Sequence, residues 1–199
     1  LKEGRVDMAV EALKAAVKDD PKNPYFQRGL GSAYAARREW DKAIESYRKA
    51  LELNEFYVDV RNDLGVALLL SGKREEGRKE LLAVFADPLC PAPEMTAGNL
   101  GRSYFEDKNY GEAYNWFRTA PQRNPKYADA YLGLADTLVA LGRLDEAIAT
   151  LEAAEKQVPD SPSLLLSLGE ACFQAGRFSE ARGYLEQVAR LDPAGPRGR

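Results

Sequence analysis

Histidine, cysteine and paired carboxylates are the residue types from which most catalytic and metal centres are built. This sequence offers few of them in usable patterns. It contains no histidine. That excludes Ser-His-Asp and Cys-His nucleophilic chemistry, histidine-bound zinc and the usual physiological-pH switch. Its two cysteines, Cys90 and Cys172, are too few for a four-cysteine zinc site and too far apart for a CxxC redox centre. Asp and Glu are plentiful, but they stand near Lys or Arg at helical spacing, as Glu45 and Lys49 do. No pair of them stands out as a general acid and base. Gly29-Leu30-Gly31 falls inside a helix by pattern and is not a phosphate loop. The expectation is therefore a non-catalytic chain with no metal and no cofactor. What remains is the chemistry of recognition: apolar, amide and charged side chains that hold another polypeptide.

Composition narrows the partner. The 199 residues are 45% apolar and 30% charged, enough for a core and for solubility. Lys and Arg total 28 against 31 Asp and Glu, a net charge of −3. Such a balance argues against nucleic acid, whose non-specific binders need many phosphate-neutralising cations. No apolar run approaches the roughly 18–20 residues that span a bilayer, and no basic-then-apolar leader is visible. The first residue is Leu1 rather than Met, which predicts a start inside a longer gene product.

The elements that position these residues follow from an internal period. Ala9, Ala43, Gly77, Ala113, Ala147 and Ala181 recur at spacings of 34, 34, 36, 34 and 34. Gly31, Gly65, Gly101, Ala135 and Gly169 recur at 34, 36, 34 and 34, each directly after a leucine. Tyr34, Leu68, Tyr104, Leu138 and Cys172 follow three residues behind. Pro21, Pro125, Pro159 and Pro193 close most units, with Glu55 in that place once. Two antiparallel helices per unit explain the pattern. A small residue where they cross lets Leu, Tyr and Phe interdigitate. Gly72, Gly142 and Gly176 supply the left-handed stop between helices. The residue before each closing proline leaves the helical region. This resembles the tetratricopeptide (TPR) repeat family, and the fold it implies is all-α: a right-handed superhelix of tandem helix-turn-helix repeats.

The register predicts one continuous domain. Residues 1–23 hold the second helix of a first repeat, with Val6, Ala9, Leu13 and Ala16 as its buried face and its partner helix upstream of Leu1. Complete repeats occupy 24–57, 58–93, 94–127, 128–161 and 162–195, and 196–199 form a frayed tail. The repeat at 58–93 departs from the rest. Gly77 replaces Ala, at about 1 kcal/mol of helix propensity. Arg74 replaces the apolar residue seen at Trp40, Tyr110, Leu144 and Phe178. Two extra residues fall in Phe85-Ala-Asp-Pro-Leu-Cys-Pro-Ala-Pro93. Three readings stay open: a neutral loop insertion, a stiff loop offering Pro88, Leu89, Cys90 and Pro91 to a partner, or a kink that adjusts superhelical curvature.

One stretch is more particular. Val60-Arg-Asn-Asp-Leu-Gly-Val-Ala-Leu69 is followed by Leu81-Leu-Ala-Val-Phe-Ala-Asp-Pro-Leu-Cys-Pro91 and then Ala97-Gly-Asn-Leu-Gly101. This resembles the TPR pilotins of type IV pilus biogenesis, the PilF/PilW/Tgl type, which share an Asn-rich repeat opening, a short insertion and an Asn-Leu-Gly opening to the next unit. The resemblance implies a lipoprotein on the periplasmic face of the outer membrane. It implies secretin subunits of the pilus pore as partners, brought to the membrane and assembled into their ring. Membrane contact would come only through a lipidated cysteine upstream of Leu1. A generic TPR scaffold of another envelope, secretion or cytoplasmic complex is the alternative, and a catalytic domain outside these residues would give a third.

Within such repeats the first helices line the inner wall. Val66, Leu69, Phe105, Val139 and Phe173 project there by helical phase. Leu69, Phe105, Val139 and Phe173 hold equivalent places and are expected to stack either as an exposed apolar row that takes a peptide or helix, or beneath the adjacent repeat. Asn62, Asp63, Asn99, Arg102, Asp136 and Glu170 accompany them. The two asparagines either bond a partner's backbone or cap a helix. The wall lacks the cationic clamp expected for the carboxylate tail of a chaperone. Tyr25, Phe26, Phe56 and Tyr57 at the repeat junctions are expected in the core, as are Trp40 and Cys172, and Trp116 half exposed.

Overall fold

The computed structural model describes residues 2–191, with side chains described from Gly4 onward. The end of the last expected repeat, 192–195, and the expected tail lie outside the described residues. Among the described residues there are eleven α-helices and no strand. They fall into two compact units, Leu1–Ala92 and Pro93–Arg199. The division comes at the Pro-rich segment rather than at a Ser/Gly linker.

The first unit holds α1 (Lys2–Asp19), α2 (Pro24–Ala36), α3 (Trp40–Leu53), α4 (Val58–Leu70) and α5 (Arg74–Ala86). Helix α2 starts with proline at its first position behind Asn23, whose side chain accepts from the Tyr25 N–H at 3.0 Å. Ala43, Tyr47 and Ala50 of α3 lie on one face and meet Val60, Leu64, Ala67 and Leu68 of α4. Helix α1 packs on α2 through Val10, with Leu13 and Val17 half-buried beside it. Its expected buried face is therefore corrected. Ala9 is exposed, and Val6, Leu13 and Ala16 are only half-buried. The equivalent Ala43, Ala113 and Ala147 are sealed because each faces the first helix of its own repeat. No such helix faces Ala9 among the described residues.

Gly77 also reads differently in three dimensions. A Cβ there would lie 2.8 Å from the Gly65 carbonyl oxygen and 2.9 Å from the Leu69 nitrogen. Backbone meets backbone where α4 crosses α5, so glycine at 77 is the condition for that approach rather than a tolerated loss. Leu69 lies across the same spot, its Cδ2 2.8 Å from where that Cβ would be.

The second unit holds α6 (Pro93–Glu106), α7 (Tyr110–Arg123), α8 (Ala128–Ala140), α9 (Leu144–Gln157), α10 (Pro162–Gln174) and α11 (Phe178–Leu191). One core runs through it: Ala113 and Phe117 from α7, Leu134 and Leu138 from α8, Ile148 and Leu151 from α9, Leu164, Leu165, Leu168 and Cys172 from α10. Burial of each large aliphatic side chain is worth about 1.5–3 kcal/mol. The turn inside each hairpin needs a left-handed residue. Gly72, Gly142 and Gly176 fill it at φ of +85°, +73° and +74°, but Arg38 and Lys108 fill it at +58° and +59°. Those two turns carry a Cβ cost that the glycine turns avoid.

Several junction aromatics depart from expectation. Phe56 is 82% exposed and Tyr25 is 68% exposed. Asn54 accepts from the Phe56 N–H at 3.2 Å, a tight turn that leaves the ring in solvent. Phe26, Tyr57 and Trp40 are half-buried rather than sealed, and Trp116 is half-buried, as expected. Cys172 is fully buried, and burial pushes its thiol up.

Candidate partner-binding groove

Helices α6, α8 and α10 are the first helices of three successive repeats, and α8 touches both of the others. The residues α8 turns toward the wall are Asp129, Leu132, Gly133 and Asp136, spaced 3, 1 and 3 and so on one face. Together with Arg102 and Phe105 of α6, one turn apart, they line a concavity of about 310 Å³. Its floor is the Phe117 ring of α7, which reaches the wall because Gly133 has no side chain. A Cβ on Gly133 would collide with that ring. Phe105 is half-buried and packs its ring on Tyr110, centroids 5.4 Å apart and planes tilted by 58°.

The charged groups at the rim are uncommitted. Arg102, Asp129 and Asp136 enter no hydrogen bond or ion pair among the described residues. Asp136 is exposed, yet the surrounding concavity partly desolvates it. That desolvation pushes its carboxyl above the ordinary value of 3.8, and the Glu170 charge adds to the rise.

The wall of the first unit is built from equivalent places with the opposite outcome. Arg28 of α2 donates to Asp63 at 3.0 Å, to Asp59 at 3.4 Å and to the Tyr57 hydroxyl at 3.3 Å, and its guanidinium lies 5.3 Å from the Tyr57 ring centroid. Burial works against the Arg28 charge, but Tyr57 and Asp63 outweigh it and hold the guanidinium above its usual value. Asp63 nevertheless lies above the ordinary carboxylate value. Burial outweighs the attraction of Arg28, and Asp59 adds repulsion.

The residues singled out by sequence are thus distributed. Arg102, Phe105 and Asp136 come together in the α6–α8 groove. Asn62, Val66 and Leu69 belong to the first unit, and all three are half-buried. Asn99 and Val139 are half-buried in the second, Val139 against its core. Phe173 is 63% exposed and packs edge-on against Phe178 at 5.4 Å. Leu69 lies against Gly77, Phe105 against Tyr110 and Phe173 against Phe178, so each of these three meets the second helix of its own repeat. In the insertion, Leu89 is 78% exposed, Pro88 and Pro91 are exposed and Cys90 is half-buried. Asp87 folds that loop by accepting from the Leu89 N–H at 2.8 Å and, through its carbonyl, from the Cys90 N–H at 3.0 Å. Asp129, Leu132, Gly133 and Phe117 escaped sequence reading. Gly133 and Leu132 were available as the 3- and 4-residue neighbours of Asp136 and Asp129 as its neighbour two turns away, but Phe117 was not.

A larger cavity, about 580 Å³, lies along α10 and α11 between Phe173, Phe178, Ala181 and Leu185, bordered by Arg182, Glu186 and Arg190. It is the face that α9 turns toward α10, repeated one unit later without a covering helix among the described residues. It therefore belongs to repeat stacking rather than to the inner wall. Among the described residues no cluster of His, Cys, Asp and Glu could hold a metal ion, and no helix is long and apolar enough to cross a membrane.

Tandem helical hairpins whose first helices present a partly apolar groove define a protein–protein interaction module. The tetratricopeptide repeat family matches residues 1–58, 31–92 and 132–196, and the chain belongs to that family. A second family, that of subunit 3 of the anaphase-promoting complex or cyclosome, matches residues 85–154. Anaphase-promoting complex subunit 3 of Schizosaccharomyces pombe is 24% identical over 184 residues, which are 92% of this chain and 27% of that protein. The chain thus spans about a quarter of that relative. Among solved structures, PilW, a widely conserved type IV pilus biogenesis factor, is 23% identical with a TM-score of 0.82, covering 98% of this chain and 90% of its own. PilF of Pseudomonas aeruginosa is 24% identical with a TM-score of 0.77, covering 98% and 88%. At such identities the likeness is one of fold.

Proposed function

We propose that this chain is the partner-holding part of a type IV pilus pilotin, which binds secretin subunits and promotes their assembly at the outer membrane. The observation that carries the reading is the stretch 60–101, with its Asn-rich opening, Pro-rich insertion and Asn-Leu-Gly restart. The likeness in fold to PilW and PilF over nearly the whole chain supports it. On this reading a lipid anchor upstream of Leu1 holds the repeats at the periplasmic face. The secretin segment lies in the α6–α8 groove, and Leu89 makes a second contact from the insertion. The inner-wall residues Asn62, Val66, Leu69, Asn99, Val139 and Phe173 and the loop residues Pro88, Cys90 and Pro91 belong to the same proposed surface.

The test is capture of detergent-solubilised secretin monomers by the purified chain, followed by recovery of heat-resistant secretin multimers in cells that lack their own pilotin. Capture and multimers are the expected result. Deleting 88–91 is expected to reduce multimers while leaving helical content intact. Absence of capture by the intact chain overturns the pilotin reading. A second reading is favoured by the curated relatives, several of which are subunits of multi-protein assemblies, such as the BBSome member BBS4 of Bos taurus. Under it the chain is an adaptor of another complex, and secretin would not be captured.

A further inference from the structure

The charges around the α6–α8 groove specify what kind of segment fits it. Arg102, Asp136 and Glu170 hold the same repeat position on α6, α8 and α10. The wall therefore changes sign along its length, from one cation to two anions, and Asp129 adds a third anion at the rim of the groove. Glu170 is exposed and, like Arg102, Asp129 and Asp136, enters no hydrogen bond or ion pair among the described residues. Between the charges lies an apolar floor of Phe105, Phe117 and Leu132, opened by the missing side chain of Gly133. A bare anion pair beside an apolar floor is satisfied by a cation brought in on an apolar stem.

We infer that the groove takes a polypeptide segment with an apolar anchor followed by Lys or Arg, the anchor resting on Phe105, Phe117 and Leu132 and the cations facing Asp129, Asp136 and Glu170. Arg102, on the other side of the anchor, accepts a carboxylate or a backbone carbonyl of the same segment. This rests on the reading of the groove as a docking site, and adds the order of charge along the occupant. An acidic segment meets three carboxylates and is rejected.

Fluorescence anisotropy with labelled synthetic peptides tests it. The probe carries one phenylalanine followed by two lysines, and its twin carries glutamates in place of the lysines. The basic peptide is expected to bind about tenfold tighter at low salt, the difference shrinking as salt screens it. The double variant D129N/D136N is expected to lose about three- to tenfold for the basic peptide and to gain for the acidic one. Leu132→Glu and Phe105→Glu, each first shown to keep the parent's helical content because both side chains also pack against the core, are expected to abolish binding of a phenylalanine peptide without charges, while D129N/D136N tests the groove without touching the core. Equal affinity for the two charged peptides, with binding still lost in Leu132→Glu, overturns the charge preference and leaves the groove reading intact. Affinities unchanged by every groove variant overturn the groove reading itself.

Discussion

The two units build their inner walls from the same repeat positions and reach opposite ends. On α4 the face reads Asp59, Asn62, Asp63, Val66; on α8 it reads Asp129, Leu132, Gly133, Asp136. Only the aspartate at the start is shared. In the first unit the preceding helix carries its cation at Arg28, level with Asp59 and Asp63, and all three are joined. In the second unit the cation stands four residues further along its repeat, at Arg102, the repeat position that Asp136 holds on α8, and it bonds neither Asp129 nor Asp136. Gly133 replaces the aspartate that would have closed the wall. A one-turn displacement of one arginine and the loss of one side chain thus separate a wall that satisfies itself from a wall that is open. Repeat stability needs the small residues and the leucines. The charged wall positions vary more freely because they lie outside the core, although Phe105 and Leu132 pack against its edge.

The largest effect that would break this contrast is at Arg28. Arg28→Ala leaves a partly buried Asp63 beside Asp59 with no cation. It is expected to cost about 2 kcal/mol in urea unfolding. Arg102→Ala touches no partner and should cost less than about 0.5 kcal/mol. Equal costs for the two would mean that Arg102 is also committed, and the open wall would close. Next in size is Gly77→Ala. Restoring the alanine found at Ala113 and Ala147 returns about 1 kcal/mol of helix propensity. Forcing a Cβ to within 3 Å of the Gly65 carbonyl costs about 2 kcal/mol. A net loss of about 1 kcal/mol is expected, and a gain would show that the α4–α5 crossing is looser than described.

Most of the architecture was legible, and the reason is physical. A small residue at a helix crossing is required once per hairpin, so Ala43, Ala113, Ala147 and their kin print the period directly into the sequence. The left-handed turns are similarly visible where glycine fills them. They are hidden at Arg38 and Lys108, where a residue with no turn preference accepts the strain. The site was less legible. Helical phase placed Arg102, Phe105 and Asp136 on the wall, but phase does not say which way the end of a helix leans. Leu69 lies on Gly77 and Phe173 on Phe178 for that reason. The Arg28 network joins residues 31 and 35 apart, so no local pattern announces it. The Phe117 floor depends on an absence, the side chain of Gly133, which reads in sequence as an ordinary break in an apolar face. Gly77 misled in the same way: its propensity cost is local, and its necessity is tertiary.

The two strained turns provide a control, since one lies in each unit. Arg38→Gly and Lys108→Gly each relieve a left-handed residue, and each is expected to stabilise by about 0.5–1 kcal/mol after the extra chain entropy of glycine is counted. Similar gains would show that the units share the same hairpin energetics and differ at the wall alone. A gain in one unit only would move the difference from the wall into the scaffold.

The smallest effect is the one most specific to the open wall. Asp136 has a folded-state carboxyl raised above its ordinary value, by desolvation first and by Glu170 second. A raised carboxyl means that the folded chain holds the proton more tightly than the unfolded chain does, so the ionised form costs stability. That cost is fully present above the raised value and fades as pH falls through it. Below the ordinary 3.8 the group is protonated in both states and the cost is gone. Asp136→Asn removes it at every pH. The variant should therefore melt slightly above the parent at neutral pH, and the two curves should converge on acidification. Asp63 is raised in the same direction, its burial and the repulsion of Asp59 already set against the attraction of Arg28. Asp63→Asn is therefore also expected to melt no lower than the parent at neutral pH, with the two curves converging on acidification. Arg28→Ala is expected to enlarge the gain from Asp63→Asn, whereas Arg102→Ala leaves that from Asp136→Asn unchanged, which separates a carboxylate that the fold has already paired from one left for a cation that the described residues do not supply.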